Sequence, residues 1–561
     1  MESVNNRRAA RVPNPKAFAW VRSVSVRLAG LGLVSIFLYA FGLAARYPIR
    51  ASFQIPRATW ASLVAAPGRD LAVHLAVYVG VTFAYVLACW LVWHHRAGPI
   101  IGTVTAYLHS QQAILLVIVG GWLVASAVLV GVAPGGESHD VFDYLFRGRM
   151  LVELGGNPLT DMPSQFAAAP FYKYVAWHSH VDTYGPIWEY ASGSVAGLMR
   201  MGLLATGRWG SGLPSCPMSV ASCEMLLAYV VGYRLLAIVL AGGCGWLIYT
   251  LVRRARPAQA HTALLIWLWN PLLLIASAVG AHNDLVMLAL LLLVFWAFQR
   301  QHWLAGLLVF VLAAHAKLTV LILAPVIGLW LARRIGWGRA LVQGVTTLAV
   351  GIPISWLLYA PLAGWDTLPR MLRERSIFLA NSLWQLLYQM LYVNRHWPKA
   401  TVHDLTVYGA TALFGVAVLA ICLVRFGYWR RTDASAVDDN ALWSTAAIVT
   451  VVYLAVGSFW FQHWYVLWLL APATLLPGSR YTRSVLPWLC FGALASNLLN
   501  ALLPQLTMWQ LDRTQVIAIV TATIWFPALA AMGFMWRTRR HPWRQSELAE
   551  SVRPPAGVTS P

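Results

Sequence analysis

Charge is scarce in this sequence. Asp, Glu, Lys and Arg together make up 11% of the 561 residues, against about a quarter in an ordinary soluble protein. With 59% hydrophobic residues and a mean hydropathy of +0.62, that scarcity excludes a soluble enzyme, a disordered chain and a coiled coil. Acidic residues are scarcer than basic ones, 20 against 41, which leaves a net charge of +21. In a soluble protein such an excess points to nucleic acid. Here most basic residues sit in short gaps between apolar runs, and no basic-plus-aromatic region stands clear of them. Membrane topology therefore accounts for the charge, and no nucleic-acid partner is expected. There is no Walker loop, no Rossmann glycine pattern and no zinc motif, which argues against nucleotide-driven chemistry. No fixed-period repeat is present either, which counts against an inverted-repeat transporter. The basic N-terminus has no small-residue cleavage site after a short apolar core, so it reads as a retained tail rather than a signal peptide.

Long apolar runs are abundant. A membrane crossing needs about 20 apolar residues. Runs of suitable length cover 28–46, 71–93, 112–133, 225–252, 261–278, 341–361, 405–425, 441–459, 484–503 and 514–535. Shorter ones cover 285–299, 303–316, 318–333 and 463–477. The expected fold is an all-α polytopic membrane protein with about 14 transmembrane helices. A single membrane domain over 28–535 lies between a basic tail, 1–27, and a polar tail, 536–561, both cytoplasmic. Clusters such as Arg253, Arg254 and Arg256, or Arg333, Arg334 and Arg339, then fall on the inner side. Segment 185–204 is apolar enough to be mistaken for a crossing. Were it one, every later basic loop would invert, so it reads as an interfacial or re-entrant helix within a long outer loop, 134–224. Cys216 and Cys223 lie in that loop and would bridge only in an oxidising compartment; two free thiols are the alternative. The 29 tryptophans suit rings lodged at the two membrane interfaces.

Polar exceptions to this pattern gather on the expected outer side. Ser138-His139-Asp140-Val141-Phe142-Asp143-Tyr144 follows the third run. Arg147, Arg149, Gly156-Asn157-Pro158-Leu159 and Asp161 come next, then Asp182-Thr183-Tyr184-Gly185-Pro186. His282-Asn283-Asp284 caps a later pair of runs, His315 and Lys317 mark a junction between short ones, and the loop 362–404 carries Arg373 and Arg375. A carboxylate at the mouth of a membrane cavity can take a proton from an acceptor hydroxyl, and nearby cations can neutralise a lipid phosphate. Each residue also has a plainer reading. Asp143 shares a helix face with Asp140 and could pair with Arg147, Asp284 could cap the helix after it, and Lys317 could snorkel. His315 reads as a packed helix residue. Arg234, inside a span, calls for a carboxylate or phosphate partner. His139, Asp140 and Asp143 could together hold a divalent cation, but their spacing is unspecific; no metal and no cofactor is assigned.

The order Ser-x-Asp-x-x-x-Tyr, Asn-Pro, Tyr-Gly-Pro, His-Asn-Asp resembles the bacterial polyprenol-phosphate-mannose-dependent α-mannosyltransferases of the glycosyltransferase C superfamily. The residues that carry it are Ser138, Asp140 and Tyr144, Asn157-Pro158, Tyr184-Gly185-Pro186 and His282-Asn283-Asp284. The resemblance implies a multi-span fold in the plasma membrane with an outward-facing active site. It also implies a polyprenyl-phosphate sugar donor, a glycan acceptor on a lipid anchor or protein, and a catalytic Asp at Asp140. Supporting or acceptor-binding roles are expected for Asp143, Tyr144, Asn157, Tyr184, Asn283 and Asp284, and donor-phosphate contacts for His282, Lys317, Arg373 and Arg375. The chain departs from the pattern at Leu159, where tyrosine is usual, and at Asp143, where a small polar residue is common. The rival class is a transporter or flippase of a lipid-linked glycan, which would share the spans and the intramembrane lysine.

Overall fold

A computed structural model describes residues 15–50, 68–95, 104–133, 137–208, 220–376, 379–428, 437–503 and 511–539. Those residues form helices and connecting turns, and their only β pairing is two isolated bridges, Pro48–Val132 and Ala380–Trp460. Nine helices among them are long and apolar enough to cross a membrane, or ten if one bent pair counts as a single span. Their outward faces are apolar. On helix Trp337–Tyr359, for example, Leu341, Val342, Val345, Leu348 and Ile352 are all exposed. A row of that kind needs lipid beside it, and the chain is a membrane protein.

The count of about 14 rests on runs that behave differently from one another. The run 261–278 is two helices, Ala260–Leu268 and Pro271–Ala278, bent by 52°. Proline at 271 supplies no N–H to continue the first helix, and the Asn270 side chain accepts from the Leu272 N–H at 3.0 Å, capping the second. Trp269, at the break, wedges between two other helices at glycines. A Cβ on Gly32 or Gly121 would come within 2.9 or 2.7 Å of its ring. The run 463–477 holds a helix of 9 residues, Val466–Thr474, after a 3₁₀ turn, too short to cross alone. Asp284–Gln299 and Trp303–Ala316 are likewise short apolar helices. The run 318–333 continues as a 3₁₀ segment, Leu318–Leu323, and helix Ala324–Ile335.

Segment 185–204 folds as helix Pro186–Ala205, which does not number among the nine. It packs on helices Asp140–Arg149 and Val220–Ala255. Cys216 lies outside the described residues, as does the side chain of Cys223, so their pairing has no structural account. The Arg234 guanidinium hydrogen-bonds to backbone carbonyls and interacts electrostatically with the Glu137 carboxylate. Its Nη1 donates to the carbonyls of Val130 (2.6 Å) and Val132 (2.7 Å) and its Nε to that of Val279 (2.9 Å). Buried guanidinium donors thus satisfy carbonyls where neighbouring helices end, and Glu137 supplies the carboxylate charge that the sequence called for.

Candidate active site

Helix Asp140–Arg149 starts beneath a cavity of about 920 Å³. Ser138 precedes it, and its Oγ accepts from the Asp140 backbone N–H at 3.1 Å. The Asp140 carboxylate is 3.9 Å from His139 Nε2 on one oxygen and 3.9 Å from His282 Nδ1 on the other. Burial raises the Asp140 pKa above the ordinary carboxylate range, with His139, Trp177, Lys317 and Ser138 opposing the rise. Asp140, Asp143, Tyr144 and Tyr184 all line the cavity, brought together from two stretches of chain about forty residues apart.

Asp143 does different work from Asp140. Its two oxygens accept backbone N–H bonds from Trp177 (3.1 Å) and Ala176 (3.3 Å), which fastens the helix to the loop that covers it. Burial pushes its pKa up to about 7, with Arg147 opposing. Arg147 donates to the carbonyls of Trp177 (3.1 Å) and His180 (2.9 Å), and its Nε is 3.7 Å from Asp182. Asp182 accepts from the backbone of Thr183 and Tyr184. Behind it, burial and the Asp182 charge push the Glu189 carboxyl well above its usual range.

The Tyr184-Gly185-Pro186 turn docks on the junction at Lys317. Gly185 donates to the carbonyl of Ala316 at 3.3 Å, and a Cβ on Gly185 would lie 2.0 Å from the carbonyl oxygen of His315. Only glycine permits that approach. Lys317 Nζ, buried, is 2.6 Å from Asp284 Oδ1, and Trp468 Nε1 donates to the same oxygen at 2.5 Å. The rings of Tyr184, Tyr465 and Trp468 surround the ammonium at 5.1–5.3 Å, a cation–π arrangement. Asp284 is therefore an ion-pair partner; the position before its helix is Asn283, whose side chain makes no capping bond. His315 is packed in its helix, with Nε2 2.6 Å from Ser355 Oγ.

Not every expected residue reaches the cavity. Asn157 closes a turn, accepting from the Leu159 N–H at 3.0 Å while its own N–H binds Asp161 at 2.7 Å. Asn283 is buried outside the lining. The side chains of Arg373 and Arg375 lie outside the described residues, although their backbone belongs to helix Thr367–Ser376.

Residues 28–333, more than half of the chain, match the family model described as alpha-(1->6)-mannopyranosyltransferase, N-terminal domain. The chain belongs to that family. It is 26% identical over 279 residues to alpha-(1->6)-mannopyranosyltransferase A of Mycobacterium tuberculosis, an alignment covering 45% of this chain and 49% of that protein. It is 24% identical over 192 residues to alpha-(1->6)-mannopyranosyltransferase A of Corynebacterium glutamicum, covering 34% of each. The chain thus spans half or less of the length of these curated relatives. The matched region contains Asp140, Asp143, Tyr144 and Tyr184, which line the cavity, and His282, Asp284 and Lys317, which lie behind the lining.

The rest of the lining comes from later in the chain, and the sequence reading missed it. Gln385, Trp460, Gln462, Trp464, Asn497 and Arg513 line the same cavity as Asp140. Gln462-His463-Trp464-Tyr465 at the start of a short apolar run was the available signal, a polar and aromatic cluster where a span should be plain.

Proposed function

We propose that this protein transfers an α-mannosyl group from a polyprenyl-phosphate donor to a glycan acceptor on the outer face of the plasma membrane. The observation that carries this reading is the convergence of Asp140 and Tyr144 from one motif and Tyr184 from another on one cavity in a chain of this family. Asp140 takes the proton of an acceptor hydroxyl. The oxygen attacks the anomeric carbon from the face opposite the phosphate, and the lipid phosphate leaves with the bonding pair. The β-linked donor becomes an α-linked product. A phosphate needs little protonation to leave, so the account asks for cations rather than a general acid.

The candidate cations carry unequal weight in this reading. Lys317 is already neutralised by Asp284 at 2.6 Å. In this reading it holds the wall formed by Tyr184 and Tyr465, and the exposed, cavity-lining Arg513 meets the donor phosphate. Arg373 and Arg375 are assigned the same role on the sequence pattern alone. Asp143 and Arg147 keep the covering loop in place. The test is incubation of the purified protein with radiolabelled polyprenyl-phosphate-mannose and lipid-linked mannan acceptors, with the product's linkage read by α-mannosidase digestion. Labelled product sensitive to that digestion supports the reading. Intact donor with every acceptor, from folded protein, refutes it.

A further inference from the structure

His282, expected from the sequence at the donor phosphate, instead groups with two other side chains, and the steps above use none of the three. Glu137, His282 and His463 are all buried, at 8%, 0% and 3% exposure. They come from the start of the long loop, from the turn after the bent helix pair and from the 3₁₀ turn before Val466. One ligand atom from each lies within 4.8 Å of the other two. Glu137 Oε1 is 2.5 Å from His463 Nε2. Neither ring nitrogen of His282 has a hydrogen-bond partner among the described residues, nor has His463 Nδ1. Buried imidazole nitrogens are normally bonded, and an unbonded group calls for an explanation. His282 is clamped in place nonetheless, stacked on Trp464 with 3.7 Å between ring centroids.

We propose that Glu137, His282 and His463 bind a divalent transition-metal ion of the zinc class next to Asp140. Two imidazoles and one carboxylate are a borderline-soft donor set. They suit zinc and its neighbours rather than calcium or magnesium, which take oxygen ligands. Metal bonds of about 2.0–2.1 Å in a tetrahedron place ligand atoms about 3.3 Å apart, so Glu137 Oε1 and His463 Nε2 must part slightly from 2.5 Å to admit the ion, with the His282 nitrogen already within 4.8 Å of both partners. Three protein ligands leave a fourth position open, the pattern of a metal that touches solvent or substrate. Glu137 and Trp464 line the cavity, and Asp140 Oδ2 is 3.9 Å from His282 Nδ1. Of the three ligands Glu137 reaches the cavity, and the proposal puts the open position on that side. The ion would also cross-link segments that are 326 positions apart in the chain. This assignment rests on the donor set and stands whether or not the transferred sugar is mannose.

The experiment is zinc binding by the full-length protein carrying a tag without histidine. Protein stripped with a chelator is given one equivalent of zinc, desalted and measured by inductively coupled plasma mass spectrometry. X-ray absorption at the zinc edge reads the ligands. About one zinc per chain is expected, with two imidazole ligands and no sulfur. Glu137→Gln and His463→Gln should each lower zinc affinity at least about 10-fold, while His315→Gln, a buried histidine elsewhere, retains it. Wild-type protein that holds less than about a tenth of an equivalent overturns the proposal. So do sulfur ligands in the absorption spectrum, or undiminished affinity in both ligand variants. Because the wild-type measurement stands alone, a variant that fails to fold does not rescue the proposal.

Discussion

Replacing Lys317 with methionine separates the structural from the electrostatic role of a deeply buried lysine. The ammonium lies 2.6 Å from Asp284, with side chains 2% and 0% exposed. Asp284 Oδ2 has no hydrogen-bond partner among the described residues. Deleting the lysine charge leaves a buried carboxylate held by Trp468 Nε1 alone on its other oxygen. Breaking a buried pair in this way costs about 3–5 kcal/mol, whereas replacing both partners with neutral groups of similar size is often near neutral. Methionine keeps the length of the lysine stem and continues to fill the space between Tyr184, Tyr465 and Trp468. Lys317→Met should therefore be strongly destabilised, and Lys317→Met combined with Asp284→Asn should regain most of the loss. The two changes touch, so their coupling is the informative quantity. Unfolding in detergent, followed by tryptophan fluorescence across an SDS titration, reads all four proteins of the cycle. A double variant as unstable as the sum of the single variants would mean that the pair is not formed, and the account of the Lys317 junction would fail.

Gly185→Ala should disrupt the docking of the Tyr-Gly-Pro turn, because its Cβ would sit 2.0 Å from the His315 carbonyl oxygen; a loss of about 1–3 kcal/mol is expected, and wild-type stability in the same titration would contradict it. Folding lifts Asp143 to about pH 7 through burial, so its contribution is full below its ordinary pKa and fades as pH rises towards 7. Asp143→Asn should flatten the fall in stability between about pH 4 and pH 7; an unchanged profile counts against that burial. With Cys216 and Cys223 changed to serine, cysteines at the exposed positions Ser164 and Lys399 should react with an impermeant thiol reagent on intact cells, while one at the exposed Arg339 should not. Labelling at Arg339 and not at Lys399 would invert the second half of the topology.

Apolar pattern alone locates most of the long helices, because a run of about 20 apolar residues has few alternatives to spanning lipid. It is blind to breaks inside such a run. Asn270-Pro271 was a stop signal in plain view, yet the flanking residues are so apolar that 261–278 reads as continuous. The motif residues were legible because they interrupt hydrophobic stretches with charge. Their roles were not. Asp140 and Asp143 look alike in sequence, and only the backbone N–H groups of Ala176 and Trp177 show that Asp143 is a fastener. Contacts across long separations were out of reach altogether. Nothing local ties Glu137 to His463, or Lys317 to Asp284 rather than to a phosphate.

The central claim is that Asp140 takes the acceptor proton, and the most direct measurement is sugar transfer by Asp140→Asn. Asparagine keeps the size and much of the packing but cannot accept the proton. Turnover from polyprenyl-phosphate-mannose should fall at least about 10²-fold, with donor binding and SDS stability near wild type, while Asp143→Asn, if folded, retains most of its activity. Normal transfer by Asp140→Asn alongside an inactive but folded Asp143→Asn would contradict the account and move the base to the other carboxylate.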